Sequence, residues 1–371
     1  MCFLCIDSRH TATADKIKIN MPTTTVQTRD EKEIKNGKPR FAIVIGTSAG
    51  GLNALIELVS HFHPGMDAAV FIVMHLSRSS MGDFLVQRLQ HHTELTCVVA
   101  VDGEITKAGH IYISPANCHL LVKGNKILIG RGPEENRWRP SIDVLFRSAA
   151  AEYNTRCIGI VLTGLLDDGT TGMQAIRRSG GTSIVQDPNE AEYPDMPFSV
   201  LDSMEVDHCL PLSAIGEIVS EVVQTSPDEI PAPEDVRIES QIAEKVVVSY
   251  DNVKALGEKS IYACPDCGGG LWAINEGGTT AGDNGRYRCH IGHAYSENDL
   301  VIKQEEVFES TLWVALRIME ERRNLLNKLQ NDHKRKGLTR AAGEYEQKVE
   351  NIQRHVDALK DIIYASQKSI A

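Results

Sequence analysis

Ser48, His75 and the pair Asp167-Asp168 are the residue types of an acyl-transfer triad, and each follows a short apolar run. A serine hydroxyl is a weak nucleophile at neutral pH until a base takes its proton. The base in turn needs a carboxylate to hold its tautomer and stabilise its cation. Ser48 lies in Gly46-Thr47-Ser48-Ala49-Gly50-Gly51, directly after Phe41-Ala42-Ile43-Val44-Ile45. The glycines allow a tight bend and close approach of another group to the backbone. A hydroxyl between a strand end and a helix start sits beside free backbone N–H groups, where the helix dipole favours negative charge. That is the setting of a nucleophile with an adjacent oxyanion site. The stretch fits the bare G-x-S-x-G pattern, which by itself also describes a phosphate loop or a plain turn.

A second group of chemistry-bearing residues lies further along, where Cys264-Pro265-Asp266-Cys267 is followed by Cys289-His290-Ile291-Gly292-His293. Cys-x-x-Cys closes a knuckle around a tetrahedral ion, and a second Cys/His pair completes four ligands. The expected zinc ligands are Cys264, Cys267, Cys289 and one histidine. His293 has the better spacing for the second knuckle, and His290 is its rival. Four protein ligands leave no open coordination position, so such a zinc is structural rather than catalytic. The competing readings are a reduced, metal-free cluster and a redox pair, and the redox pair lacks its usual βαβ surroundings. Cys97, Cys118, Cys157 and Cys209 stand singly among apolar neighbours and read as small core residues.

The elements that must position these groups are legible as alternating patterns. Phe41–Ile45, Ala68–Met74, Cys157–Leu162 and Thr182–Gln186 are expected as buried strands. Gly51–Phe62, Gly82–Gln90, Ile142–Tyr153 and Thr171–Ser179 are expected as helices between them. That alternation predicts an α/β fold, a doubly wound, largely parallel sheet with helices on both faces. Gly109–Ser114 and His119–Ile129 are expected to form a hairpin insertion around Lys123-Gly124-Asn125-Lys126. Ser48, His75 and one of Asp167 or Asp168 then share the carboxyl edge of the sheet, where the sites of such folds gather. The order Ser, His, Asp differs from that of the α/β-hydrolases, where the acid precedes the histidine. A hydrolase-like alternative would take His208 as base, after Asp168 or Asp187.

Taken jointly, these segments resemble the CheB-type chemotaxis methylesterases over about residues 40 to 224. Gly46-Thr47-Ser48-Ala49-Gly50-Gly51 is similar to that family's nucleophile turn. Val73-Met74-His75-Leu76 is similar to its base segment, and Leu162-Thr163-Gly164-Leu165-Leu166-Asp167-Asp168-Gly169 to its acid loop. Arg139-Pro140-Ser141-Ile142-Asp143-Val144-Leu145-Phe146, Tyr112-Ile113-Ser114-Pro115-Ala116 and Met196-Pro197 match further family segments. The resemblance implies Ser48 as nucleophile, His75 as base and Asp168 as acid. It also implies an oxyanion site from the backbone N–H groups of Ala49 and Leu165. The implied reaction is hydrolysis of glutamyl methyl esters on a chemoreceptor-type signalling protein, releasing methanol without a catalytic cofactor. Leu165 and Leu166 depart from the Met and Gly usual in the acid loop, which bears on the shape of the oxyanion site.

The chain has 371 residues, 42% hydrophobic and 24% charged, with 39 basic and 50 acidic residues and a net charge of −11. Its length suits two or three domains, and its composition is that of an ordinary globular protein. The acidic balance argues against nucleic acid as a partner. No apolar run is long enough for membrane insertion. Met1-Cys2-Phe3-Leu4-Cys5-Ile6-Asp7 lacks the basic start of a signal peptide, so a cytoplasmic location is expected.

The expected division is a disordered leader over 1–38, the catalytic α/β domain over 39–225, and a linker over 226–257. A zinc-ribbon-like module over 258–300 and a helical hairpin or coiled coil over 301–371 complete it. The leader is too short for the phosphorylatable receiver domain of the best-known CheB-type enzymes, so a separate receiver protein becomes a candidate partner. Tyr345, Val349, Ile352, Val356, Leu359 and Ile363 form an a/d seam. Phe308, Leu312, Ala315, Met319, Leu326 and Leu329 form a second stripe. These two suit a hairpin packed on itself, with homo-oligomer formation as the sharper alternative. Against the esterase stands a regulatory or scaffold protein working through the zinc module and tail. Esterase or amidase action on another substrate is a third reading.

Overall fold

The computed structural model describes residues 39–75, 82–245, 250–274 and 285–368. The expected leader lies outside the described residues. The first half begins with β1 (Phe41–Thr47), α1 (Gly51–Ser60), β2 (Ala68–Met74) and α2 (Gly82–Gln90). It continues with β3 (Thr96–Val99), β4 (His110–Ile113), β5 (His119–Lys123), β6 (Lys126–Gly130) and α3 (Ile142–Tyr153). β7 (Cys157–Val161), α4 (Thr170–Arg178), β8 (Thr182–Gln186), α5 (Asp195–Ser203), β9 (His208–Leu210) and α6 (Leu212–Gln224) follow. Seven strands form one sheet in the order β3-β4-β2-β1-β7-β8-β9, and every pairing in it is parallel.

Every residue of β1 is buried, as a central strand covered on both faces requires. Its side chains divide by the period-two alternation of a strand. Phe41, Ile43 and Ile45 join Leu55 and Leu58 of α1 and Ile215 and Val219 of α6. Ala42 and Val44 face Leu145 and Phe146 of α3 and Met173 and Ile176 of α4. The chain winds outward in one direction from β1 through β2 and in the other from β7 through β8. The carboxyl edge between β1 and β7 is therefore a topological switch point.

Two expected elements differ from what the chain forms. Gly109–Ser114 is not part of an insertion: His110–Ile113 is β4, inserted between β3 and β2. Ile111, Tyr112 and Ile113 are almost fully buried, because both faces of that strand are covered. Only β5 and β6 make the antiparallel hairpin, turning at Gly124 with φ +61°. The 226–257 segment, expected as a linker, carries α7 (Glu234–Glu244) and α8 (Tyr250–Leu256). Its acidic residues read as solvated, yet Glu239 is 5% exposed and lies among three arginines.

Beyond α8 a four-stranded antiparallel sheet runs in the order β10 (Gly257–Ala263), β11 (Gly270–Ile274), β12 (Arg286–Cys289) and β13 (Ala294–Ser296). Two long helices close the chain, α9 (Glu297–Arg335) and α10 (Thr339–Lys368). Ser296 caps α9, its hydroxyl accepting from the Asp299 N–H at 3.2 Å. Gly337, at φ +73°, supplies the left-handed turn between the helices. Leu316, Val356 and Ile363 are buried between them, with Leu312, Met319, Ile352 and Leu359 packed alongside. Phe308, placed on the same stripe by its spacing, is 54% exposed, at the end of the hairpin away from the Gly337 turn.

Candidate active site

Thr47 of β1 and Met74 of β2 are register partners, so Ser48 and His75 are the next residues on neighbouring strands. The His75 N–H donates to Thr47 O at 3.1 Å, and the Ser48 N–H donates to Thr163 O, beyond β7, at 3.1 Å. Both side chains are nearly buried, with 8% of Ser48 and 7% of His75 exposed. Gly50 takes φ +74° to turn the chain into α1. Gly164 is a close-approach glycine: a Cβ there would meet Ser48 Cβ at 2.8 Å and Met196 Sδ at 2.1 Å. Met196, from the Met-Pro segment, is thereby packed beside the nucleophile turn.

His75 Nε2 lies 2.9 Å from Asp168 Oδ2, while its Nδ1 is buried with no hydrogen-bond partner. Asp168 gathers four more donors. The Ile142 N–H reaches Oδ2 at 2.7 Å. The Asp143 N–H, Ser141 Oγ and Asn136 Nδ2 reach Oδ1 at 3.2, 3.0 and 3.1 Å. Asp168 thus sits at the N-terminus of α3, where unpaired N–H groups and the helix dipole favour an anion. Burial pushes its carboxyl up, but the hydrogen bond and charge of His75, with the Ile142 and Asn136 donors, outweigh burial and hold it below the usual carboxylate range. Asp143 returns the arrangement for α4, its Oδ1 accepting from the Gly169 and Gly172 N–H groups at 3.1 and 2.6 Å. Burial and the charge of Asp168 push Asp143 up to about 6, against the opposing pull of Arg147.

Two site residues had no signal in the sequence reading. Asn136 and Arg137 take φ +49° and +66°, and Glu135 and Trp138 pair across them, N–H to O, at 3.2 and 2.9 Å. This tight turn presents Asn136 to Asp168 and lays the Trp138 ring on His75, centroids 4.0 Å apart and 7° from parallel. Glu134-Glu135-Asn136-Arg137 reads locally as a polar loop; only its folded partners give it a role. Trp138→Ala is expected to lower kcat by about threefold to tenfold with a smaller change in KM, since a stack of this kind contributes about 1 kcal/mol. Steady-state ester hydrolysis measures it.

The turn is gripped from outside the catalytic sheet. Arg288 of β12 donates to both Glu135 carboxylate oxygens, at 2.8 and 2.9 Å, and Arg147 of α3 pairs with the same carboxylate. Burial raises the Glu135 carboxyl, but Arg147 and Arg288 outweigh it and hold the group ionised. Glu239 of α7 pairs with Arg286 at 3.2 Å. Arg286, Arg147 and Arg288 overcome its burial and lower it to about 2.

Asp299, in the first turn of α9, is 1% exposed. Burial, then the charges of Asp167 and Asp168, push it up to about 7 against the Ser296 hydrogen bond and Arg137. Burial likewise raises Asp167. A carboxyl raised from 3.8 contributes stability that is complete at low pH and is lost as pH rises through about 7. Asp299→Asn is therefore expected to raise the melting temperature at pH 8, by an amount equivalent to about 1–2 kcal/mol, and by less than half as much at pH 5, where the unfolded carboxyl is already ionised and the folded one is not. Thermal melts at the two pH values measure the difference.

The other sequence candidates fall as follows. His208 opens β9, the edge strand two places beyond β7, level with Ile184 of β8 and away from Ser48. Asp187 Oδ1 accepts from Asn189 instead. Asp167 lies beside Asp299 rather than at His75. Leu165, 45% exposed, lies in the acid loop, and Leu166 turns the chain there with φ +67°. The N–H groups of Ser48 and Gly164 are committed to Thr163 O and Tyr193 O. Ala49 and Leu165, the two positions that the family resemblance marks for the oxyanion, follow directly on these two residues in the chain. The donor atoms of Cys264, Cys267, Cys289 and His293 all lie within 4.8 Å of one another. The His290 ring packs against Gly269 instead.

The family described as CheB methylesterase matches residues 43–219. A Leptospira interrogans relative, provisionally named a protein-glutamate methylesterase/protein-glutamine glutaminase, is 37% identical over 178 residues. That match covers 48% of this chain and 92% of the relative. A Methanosarcina acetivorans protein-glutamate methylesterase/protein-glutamine glutaminase is 31% identical over 205 residues, 53% of this chain and 57% of its own length. Among solved structures, the Thermotoga maritima CheB methylesterase catalytic domain is 30% identical and has a TM-score of 0.47. It covers 50% of this chain and 97% of that one.

Proposed function

This chain belongs to the CheB methylesterase family, and from that premise we propose that it is a protein-glutamate methylesterase acting on methylated chemoreceptor-type proteins through Ser48, His75 and Asp168. Ser48 Oγ attacks the ester carbonyl while His75 Nδ1 takes its proton. Asp168 fixes the imidazole through Nε2 and stabilises its cation. The backbone N–H groups of Ala49 and Leu165 receive the developing oxyanion. His75 then returns the proton to the leaving methoxide, and methanol departs. Water, deprotonated by the same histidine, hydrolyses the acyl-enzyme, leaving a glutamate side chain on the substrate protein and returning the proton to Ser48 Oγ. The same sequence on a glutaminyl amide releases ammonia, the second activity in the relatives' names.

The observation that carries this reading is the 2.9 Å contact from His75 Nε2 to Asp168, with Nδ1 buried and unpartnered at the strand end next to Ser48. No helix among the described residues is long and apolar enough to cross a membrane. The test is methanol and ammonia release from methylated and glutamine-bearing receptor fragments, beside a Ser48→Ala control, with and without separate receiver proteins. Wild-type-dependent methanol release is expected. Equal release by both proteins, or none under any partner condition, leaves the scaffold reading in its place.

A further inference from the structure

We propose that Cys264, Cys267, Cys289 and His293 bind one zinc ion, and that the zinc-bound ribbon holds the Glu135–Trp138 turn where Asn136 and Trp138 orient Asp168 and His75. The second half rests on the methylesterase reading; the metal site does not.

Two edges of the donor set have the dimensions of a tetrahedral zinc site, and all four donor atoms lie within 4.8 Å of one another. Zinc–sulfur and zinc–nitrogen bonds imply edges of about 3.8 Å between two thiolates and about 3.6 Å between a thiolate and an imidazole nitrogen. Cys267 Sγ lies 3.7 Å from Cys289 Sγ, and Cys289 Sγ lies 3.4 Å from His293 Nδ1. The sulfurs are far too distant for a disulfide. Both knuckles are formed by the backbone. The Gly268 N–H donates to Cys264 O at 2.8 Å, and the Gly292 N–H donates to Cys289 O at 3.0 Å. Gly268 and Gly292 take φ +72° and +116°. The core of this small sheet includes Cys264 and Cys289 beside Leu271, Tyr287, Tyr295 and Leu300. So small a cluster is the kind that a structural metal completes.

The second knuckle is also what grips the catalytic turn. Arg288 immediately precedes Cys289, and its Nη1 donates to Gly292 O at 3.1 Å, inside the knuckle. The same guanidinium holds Glu135. Ala294 immediately follows His293, and its carbonyl accepts from the Asn136 N–H at 2.9 Å. The two grips on the turn therefore flank two of the ligands. Arg288 is fully buried, and a buried ion pair tolerates little displacement, because a charge separated from its partner is left uncompensated. Zinc fixes the knuckle, the knuckle fixes Arg288 and Ala294, and these fix Asn136 and Trp138. Arg288, Glu135 and Asn136 are positioning residues.

The test uses the full chain. Elemental analysis is expected to find about one zinc per wild-type chain, retained in His290→Ala and lost in Cys264→Ser and His293→Ala. Cobalt in its place is expected to show the absorption of a tetrahedral thiolate site. Amide exchange over 135–138 is expected to quicken at least about tenfold in reversibly zinc-stripped protein and in Arg288→Gln, which keeps its metal, while β1 and β7 stay protected. In Arg288→Gln, kcat per serine titrated with an organophosphonate is expected to fall with KM unchanged. A role confined to folding would lower the number of titrated serines instead. A zinc-free wild type after growth and refolding with zinc, or equal zinc in wild type and Cys264→Ser, overturns the metal site. Unchanged exchange over 135–138 in both perturbed proteins overturns the coupling. Neither readout needs an active esterase, so failure of the methylesterase reading is seen separately.

Discussion

Ser48→Ala is expected to lower methanol release by about 10⁴- to 10⁶-fold, leaving only what an oxyanion site and binding provide without a nucleophile. The magnitude follows from the division of labour at the site. His75 Nδ1 has no other buried partner to serve, and Ser48 occupies the strand end beside it. Removing Oγ leaves the base and acid assembled with nothing to activate. The fold should not notice. Ser48 Cβ is the atom that approaches Gly164, alanine keeps it, and the backbone bond from Ser48 N–H to Thr163 O is unaffected. Melting is therefore expected to match the wild type within about 0.5 kcal/mol. Methanol assayed with a methylated receptor fragment decides it, and retained turnover in a well-folded Ser48→Ala protein removes the serine from the chemistry.

Asp168→Asn is expected to cost about 10³- to 10⁴-fold in kcat and, unlike Ser48→Ala, also about 1–3 kcal/mol of stability. Every group aimed at this carboxylate is a donor: His75 and Ile142 on one oxygen, Asn136, Ser141 and Asp143 on the other. A carboxylate accepts from all of them. An asparagine has one acceptor oxygen, and its NH₂ must face donors whichever way it is turned. Turned toward His75, the amide favours the wrong imidazole tautomer; turned away, it confronts the α3 N-terminus. The two costs are read separately, by kcat on the ester and by thermal or denaturant unfolding. An Asp168→Asn enzyme within tenfold of wild type would move the acid role elsewhere, with Asp143, which shares the Asn136 amide with Asp168, the first carboxylate to test.

Much of the site was legible because strand ends are local features. Five apolar residues before Gly46, and a similar run before His75, mark buried strands whose carboxyl ends must carry the next residues to one edge if the sheet is parallel. The separation of Asp168 from Asp167 was less local: the spacing left both open, and the resemblance chose. In the fold, the difference is that Asp168 meets the α3 N-terminus and His75 while Asp167 meets Asp299. Gly109–Ser114 was misplaced because an apolar run of four or five residues reads the same in a hairpin as in a central strand. Its neighbours β3 and β2 decide between the two.

The cysteine spacing behind the proposed zinc site, the turn that carries Ser48, the glycines that shape it and the two long helices are local features of the sequence itself, since spacing, backbone freedom and apolar periodicity act within a few residues of one another. What only the tertiary structure decided is the identity of the groups that hold the site in place. Glu135 and Arg288 stand 153 positions apart, and each in its own segment reads as a solvated charge. Whether a charge is solvated or buried depends on whether the fold brings an opposite charge to it, because desolvation is tolerated only with a partner in place. That condition is non-local, so the turn bearing Asn136 and Trp138, and the C-terminal ribbon that grips it, emerge only once the chain is folded.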